Sequence, residues 1–248
     1  MKIGVLKETV SGESRVAATP ETVKKMIALS HSVSIEAGAG IQASISDEDY
    51  QNNGADIVSR DQALKSDLLL MVRPLSEKEI TTLKPTQFLV GMLEPFNNEL
   101  QNLLKKQGVS AFALEALPRN TRAQSMDVLS SQANIAGYKA VILAADYYKK
   151  FMPMLMTAAG TVKAAKVIVL GAGVAGLQAV ATAKRLGAVV EASDVRPSVQ
   201  EQIESLGGKF IEVPFETEEE KECAIGQGGY AKPMPKSWLT RQAKIVAE

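Results

Sequence analysis

The sequence reads as two α/β domains with parallel sheets, residues 1–125 and 161–248, joined by an interdomain helix and linker at 126–160. Three observations predict this. Short apolar runs alternate with helical patterns up to residue 117, as strands and crossover helices do in a parallel sheet. One long stretch, 125–150, then carries helical spacing, with Ile135, Tyr138, Val141, Ile142 and Ala145 on its apolar stripe. Pro153 and Gly160 end that helix, and strand–helix alternation begins again beyond them.

In chain order, IGVL (3–6) is a strand, and Pro20 opens a helix, ETVKKMIALS, capped by Thr19. VSIEAG (33–38) is the next strand. DEDYQNNG is a short helix that starts on acids and stops at Gly54. DLLLMV (67–72) is a continuous apolar run, as in a strand buried on both faces, and Arg73-Pro74 stops it. SEKEITTL is a helix started by a serine cap. TQFLVGML (86–93) and SAFALEAL (110–117) are strands, with the helix NNELQNLLKKQG between them. The second half supplies the strand AKVIVL (165–170), a helix through Arg185, the strand AVVEASDV (188–195), the helix SVQEQIESLGG and the strand KFIEV. EVPFETEEEKE is acidic. AIGQGGYAKPMP is rich in glycine and proline without apolar periodicity and reads as an exposed loop, and KSWLTRQAKIVAE is a terminal helix.

Composition narrows the chemistry. The 248 residues carry 28 basic and 28 acidic side chains, a balance that argues against nucleic acid or an anionic membrane as partner. At 46% hydrophobic and 23% charged, the chain has the make-up of a soluble globular protein. Its single cysteine, Cys223, forms no internal disulfide, which fits a reducing compartment. The uncharged stretch from Phe151 to Val162 is too short and too broken to cross a bilayer, and MKIGVLKE has no apolar signal-peptide core. The single histidine, His31, excludes zinc sites built on several His and Cys, and no metal site is read.

Gly171-Ala-Gly173-Val-Ala-Gly176 matches G-x-G-x-x-G, a weak pattern alone and a strong one in this context. The strand Val167–Leu170 precedes it, a helix follows directly, and Asp194 stands 18 residues after Gly176 at the end of the next strand. Gly171 permits the tight turn, and Gly173 lets the backbone approach a pyrophosphate that the helix N–H groups stabilise. Gly176 lets the helix pack against the sheet. A carboxylate at Asp194 accepts ribose hydroxyls and repels a 2′-phosphate, favouring NAD(H) over NADP(H); Arg196 tempers this, because an arginine tolerates a phosphate.

A second cluster runs Arg119-Asn-Thr-Arg122-Ala-Gln124-Ser125-Met-Asp127-Val-Leu-Ser130-Ser131. Ser125 or Asp127 as a helix cap and the arginines as solvated charges would explain it blandly. Its position at the domain junction favours a cleft role, since it concentrates donors and acceptors suited to a carboxamide and phosphates.

These residues carry a resemblance. RNTRAQSMDVLSSQANIAGYKAV, VLGAGVAGLQAVATAKRLGA, SDVRPSVQEQIESLGGKF and GGYAK resemble the NAD(H)-binding component of proton-translocating nicotinamide nucleotide transhydrogenases, and the likeness runs from MKIGVLKE to the C-terminus. The resemblance implies two Rossmann-like domains with NAD(H) in the cleft between them. It implies hydride transfer from NADH to NADP⁺ on a separate NADP(H)-binding component, coupled to proton movement through a transmembrane component. It further implies a homodimer, cytoplasmic or on the matrix side, peripheral on the inner membrane through its partners. By motif, Arg119, Gln124 and Asp127 match the loop that orients the dihydronicotinamide, with Asn120, Thr121, Ser125, Met126 and Ser130 beside it. Ala172, Gly173 and Val174 match the pyrophosphate contacts, and Asp194, Val195 and Arg196 the adenosine side. Gly229 and Tyr230 match a mobile loop that closes over the nucleotide, and Gln242 the adenine pocket.

Alanine dehydrogenase, a relative in the same family, shares ESRVAATP and the EAGAG turn. It needs a substrate-binding lysine on the strand that here reads Met71-Val72-Arg73-Pro74 and a catalytic histidine on the one reading Phe88-Leu89-Val90-Gly91-Met92. Neither residue is present, and His31, before the VSIEAG strand, reads as a half-exposed structural histidine. Residues 164–248 hold about three strands at ordinary lengths, half a complete dinucleotide fold. A fragment of the enzyme, or a truncated nucleotide-binding or dimer-forming module, is the expectation that follows.

Overall fold

A computed structural model of the chain describes residues 1–118, 120–225 and 231–247. They form two compact units, Met1–Val128 and Leu129–Glu248.

Unit 1 contains a six-stranded sheet in the order β3-β2-β1-β4-β5-β6: β1 (Lys2–Val5), β2 (Ser32–Glu36), β3 (Asp56–Val58), β4 (Leu68–Leu70), β5 (Phe88–Gly91) and β6 (Ser110–Ala113). Every pair is parallel, with Val5 opposite Ile35 on one side and Leu70 on the other. The crossovers are α1 (Pro20–Ala28), α2 (Asp47–Asn52), α3 (Arg60–Ala63), α4 (Glu77–Ile80) and α5 (Asn98–Gln107). Local chemistry sets their starts. Thr19 accepts the Thr22 N–H ahead of α1, and Ser46, Ser59 and Ser76 form reciprocal capping boxes before α2, α3 and α4. α5 stops at Gly108, whose φ of 73° is the left-handed conformation a helix end favours. One core cluster holds Val5, Val23, Ile35 and Tyr50; the other holds Leu6, Leu69, Leu89 and Leu104. The α/β class holds, and β3 and α3 are additions that sequence periodicity does not register.

Unit 2 has a three-stranded parallel sheet, β11-β10-β9, built from β9 (Lys166–Leu170), β10 (Val189–Ser193) and β11 (Lys209–Phe210). Helices α7 (Val174–Arg185) and α8 (Gln200–Ser205) make the crossovers, followed by α9 (Glu218–Ile225) and α10 (Lys236–Ala247). The long helix α6 runs Val128–Tyr148, and the linker after it forms an antiparallel hairpin, β7 (Leu155–Thr157) with β8 (Gly160–Val162).

The buried stripe of α6 differs from the expected one. Gly137 and Val141 are its buried residues, and Ala145 packs on the core with Val141, whereas Ile135 and Tyr138 are 58% and 51% exposed. Small residues face the unit because α6 approaches α7 closely: a Cβ on Gly137 would overlap the carbonyl oxygen of Ala175 and lie 3.0 Å from its Cα. Large side chains therefore turn outward.

The tail of unit 2 is fastened by a buried carboxylate. Glu220, 1% exposed, accepts the Glu216 N–H (2.8 Å), the Ser237 hydroxyl (3.0 Å) and Arg241 Nη2 (2.6 Å), which joins α9 to α10. Arg241 holds its carboxyl far down, at about 2. A depressed carboxyl pKa adds stability that is complete above the unfolded value near 4.5 and is lost as pH falls toward 2. Glu220→Gln is thus expected to be less stable than the wild type at neutral pH, with the gap closing below pH 4.5 and vanishing near pH 2. Urea unfolding across that range, read by Trp238, measures it; a gap that does not change with pH would remove Glu220 from the acid response.

Candidate functional site

The turn after β9 is built by its glycines. Gly171 takes φ 92°, and its N–H donates to the Ser193 carbonyl at 2.8 Å, tying the turn to the end of β10. Gly173 precedes α7 in extended conformation, and a Cβ there would meet no described residue within 4 Å. Among the described residues nothing closes this space to an incoming group. Gly176 is closed in: a Cβ would overlap the carbonyl oxygen of Gly171 and lie 2.8 Å from its carbonyl carbon. The close approach is therefore to the turn itself, with the nearest sheet atom, Val169 Cγ1, at 3.6 Å. No side chain among the described residues caps α7, which leaves its first-turn N–H groups to an anionic ligand.

A cleft of about 570 Å³ opens in front of this turn. Ala172, Gly173 and Val174 form one wall, and Arg196, Pro197 and Ser198 another. Asp194 sits behind, its side chain 5% exposed and absent from the cleft lining among the described residues. Its Oδ2 accepts the Ala172 N–H at 2.6 Å and Arg196 Nη2 at 3.0 Å; its Oδ1 accepts the Arg196 N–H at 2.8 Å and Nε at 2.9 Å. Burial pushes this carboxyl up, but the Arg196 and Ala172 donors outweigh it and hold the group below its usual value. Val195 is half-buried between them. Gln242 donates from Nε2 to the Ser193 hydroxyl at 3.0 Å, which brings α10 to the same end of β10. One turn earlier, Trp238 is 1% exposed and stacked on Phe215 with centroids 6.3 Å apart. Ala172, Gly173, Val174, Asp194, Arg196 and Gln242 are thus gathered at one end of the unit 2 sheet.

The second cluster straddles the boundary between the two units in sequence. Asn120 Oδ1 accepts the Ala123 N–H at 2.9 Å, and the Gln124 N–H reaches the Asn120 carbonyl at 3.1 Å, folding 120–124 into a turn over buried Ala123. Gln124–Met126 is a single 3₁₀ turn ending at Asp127. Thr121, Gln124, Ser125 and Met126 present exposed side chains, while Asp127 and Ser130 are half-buried. Residues 120–128 belong to unit 1 and Ser130 to unit 2. Arg119, Gly229 and Tyr230 lie outside the described residues.

In unit 1 the segments 71–74 and 88–92 carry neither a lysine nor a histidine. Met71 is buried, and Arg73 Nε is held by Glu13 at 3.1 Å. Gly91 leaves no room for a side chain, since a Cβ there would overlap the Met71 carbonyl oxygen. Among the described residues no group of three or more His, Cys, Asp or Glu could hold a metal, and no helix is long and apolar enough to cross a membrane.

Comparison with known proteins places this arrangement. Residues 4–136 match "Alanine dehydrogenase/PNT, N-terminal domain" and residues 140–233 match "Alanine dehydrogenase/PNT, C-terminal domain". An NAD(P) transhydrogenase alpha-subunit polypeptide of Rhodospirillum rubrum is 48% identical over 254 aligned residues, covering 99% of this chain and 65% of the relative. The transhydrogenase of Sinorhizobium meliloti superposes with a TM-score of 0.83 at 50% identity, over 86% of this chain and 64% of that one. An L-alanine dehydrogenase superposes at 0.75 with 28% identity, over 97% and 71%. The chain therefore spans 65% of the length of its Rhodospirillum rubrum relative. With both domain patterns matched in succession, the chain belongs to the alanine dehydrogenase/PNT family.

Proposed function

We propose that the chain acts as the NAD(H)-binding component of a proton-translocating transhydrogenase, passing hydride from NADH to NADP⁺ held by a partner component. The observation that carries this is the turn Gly171–Gly176: a helix N-terminus uncapped by the described residues faces a cleft, and Gly173, whose Cβ would meet no described residue, stands where a pyrophosphate would approach. Ala172, Gly173 and Val174 hold the pyrophosphate, and Asp194, Val195, Arg196 and Gln242 the adenosine. Arg119, Gln124 and Asp127 orient the nicotinamide, with Asn120, Thr121, Ser125, Met126 and Ser130 supporting that loop, and Gly229 and Tyr230 cover the nucleotide. Direct hydride transfer between two nicotinamide rings asks the protein for positioning and water exclusion, not for an acid or base. That suits a chain without the lysine and histidine of an alanine dehydrogenase.

The NADP(H)-binding and transmembrane components are the partners this reading requires, with NADP(H) carried by the former. It makes the chain peripheral on the membrane, on the cytoplasmic or matrix side. A second copy is the further partner, for which Tyr147 at 78%, Met156 at 75% and Phe151 at 57% exposure offer apolar contact area.

Calorimetric titration with NADH, on this chain and on a C-terminally extended one, tests the binding step. The extended chain, mixed with an NADP(H)-binding component, is then expected to reduce an oxidised NADP analogue at the expense of NADH. No rate above buffer from a folded, extended chain would sink the assignment, and pyruvate- and ammonia-dependent oxidation of NADH would replace it with an alanine dehydrogenase.

A further inference from the structure

The adenosine side of the cleft does not have the electrostatics its sequence suggests. An aspartate at the end of β10 is expected to face the ribose. Here all four of its lone-pair directions are taken, two by backbone N–H groups and two by the Arg196 guanidinium, at 2.6–3.0 Å. The charged residue that lines the cleft is Arg196, alone in that respect among the described lining residues. Its side chain is 24% exposed, on a loop just beyond β10, while the Asp194 side chain behind it is 5% exposed. A ligand entering along the glycine turn meets the cation first.

We propose that Arg196, held in place by Asp194, is the residue that sets how sharply this cleft separates NADH from NADPH. The inference rests on the dinucleotide reading above and deepens it. Arg196 neutralises Asp194, so a 2′-phosphate meets a paired charge rather than a bare carboxylate. A ribose 2′-hydroxyl, conversely, can reach Asp194 only by displacing a charge-assisted donor. Arg196 thereby works against NADH and in favour of NADPH. Besides its part in the adenosine subsite, Asp194 holds the Ala172 N–H in the turn and the guanidinium at the cleft wall.

The test is calorimetric titration of the wild type, Arg196→Gln and Arg196→Lys with NADH and with NADPH, the fold being checked by Trp238 fluorescence. Arg196→Gln exposes Asp194, and placing a phosphate beside it is unfavourable, so the preference for NADH is expected to rise about tenfold or more. Arg196→Lys keeps the charge without the fork and is expected to return the preference toward that of the wild type. An unchanged ratio in Arg196→Gln, or equal weakening of both nucleotides, would overturn the proposal by making Arg196 an ordinary contact. A wild type that binds neither nucleotide overturns the dinucleotide reading itself, and this inference with it.

Discussion

Gly176→Ala is expected to cost the chain both its nucleotide binding and much of the stability of unit 2. The added methyl has no free volume: it would overlap the Gly171 carbonyl oxygen and lie 2.8 Å from the carbonyl carbon, both backbone atoms that no rotamer change can move aside. The turn cannot yield locally, because Gly171 is fixed by its φ of 92° and by the 2.8 Å bond from its N–H to Ser193. Overpacking of this kind costs about 3 kcal/mol when neither side can retreat. The N-terminus of α7 must tilt away, carrying its N–H groups out of line with an incoming pyrophosphate, so the NADH affinity should fall by more than about tenfold. Trp238, the single tryptophan and 1% exposed within unit 2, reports urea unfolding directly. Gly173→Ala makes the contrast. Its Cβ meets no described residue within 4 Å, so the fold should be untouched while the nucleotide loses its closest approach. If Gly176→Ala unfolded at the wild-type urea concentration, the turn would be far softer than its close backbone contacts imply.

Legibility in the sequence differs from element to element. The strands of unit 1 can be read because both faces are covered: Leu68–Leu70 and Phe88–Gly91 are apolar without alternation, as a buried parallel sheet demands. β3 and α3 escape because three and four residues hold no period; the one signal is the Ser59–Gln62 capping box, which the structure forms. α9 escapes for another reason. Glu218, Glu219 and Glu220 look like a solvated acidic run, yet acids suit a helix's first turn, and Arg241, 21 residues on, neutralises the buried one. The hairpin Leu155–Val162 is concealed by Pro153 and Gly160, which read as linker punctuation.

The glycine turn itself is readable as a site because its context, strand, turn, helix and acid, is a local pattern. What cannot be read is the direction in which Asp194 turns its charge. The choice between a ribose hydroxyl and the arginine two residues on is made by side-chain geometry, and Asp194 closes on Arg196 and Ala172 through four hydrogen bonds. Periodicity carries no information about that. The same holds for α6, where apolar spacing names Ile135 and Tyr138 but the contact with α7 is made by Gly137, the neighbour of Tyr138 that has no side chain.

That contact gives the second large effect, and its sign separates two accounts of Gly137. Glycine in the middle of a helix is about 1 kcal/mol worse than alanine through backbone entropy, so propensity alone predicts that Gly137→Ala stabilises the protein. Ala140→Gly, at an exposed position of the same helix, should show that propensity cost, about 1 kcal/mol of destabilisation. The packing predicts the opposite for Gly137. Its Cβ would overlap the Ala175 carbonyl oxygen, 3.0 Å from the Ala175 Cα, in the first turn of α7. Two helix backbones would have to separate, which opens the Val141–Ala145 contact with the core and displaces the turn that faces the cleft. Overpacking against backbone costs about 1–3 kcal/mol or more, enough to reverse the propensity gain, and Gly137→Val should be worse again. Urea unfolding of Gly137→Ala and Ala140→Gly, followed through Trp238, decides between them. A stabilised Gly137→Ala would show that α6 and α7 are not in backbone contact, and a destabilised one with weakened NADH binding would tie the long helix directly to the geometry of the nucleotide turn.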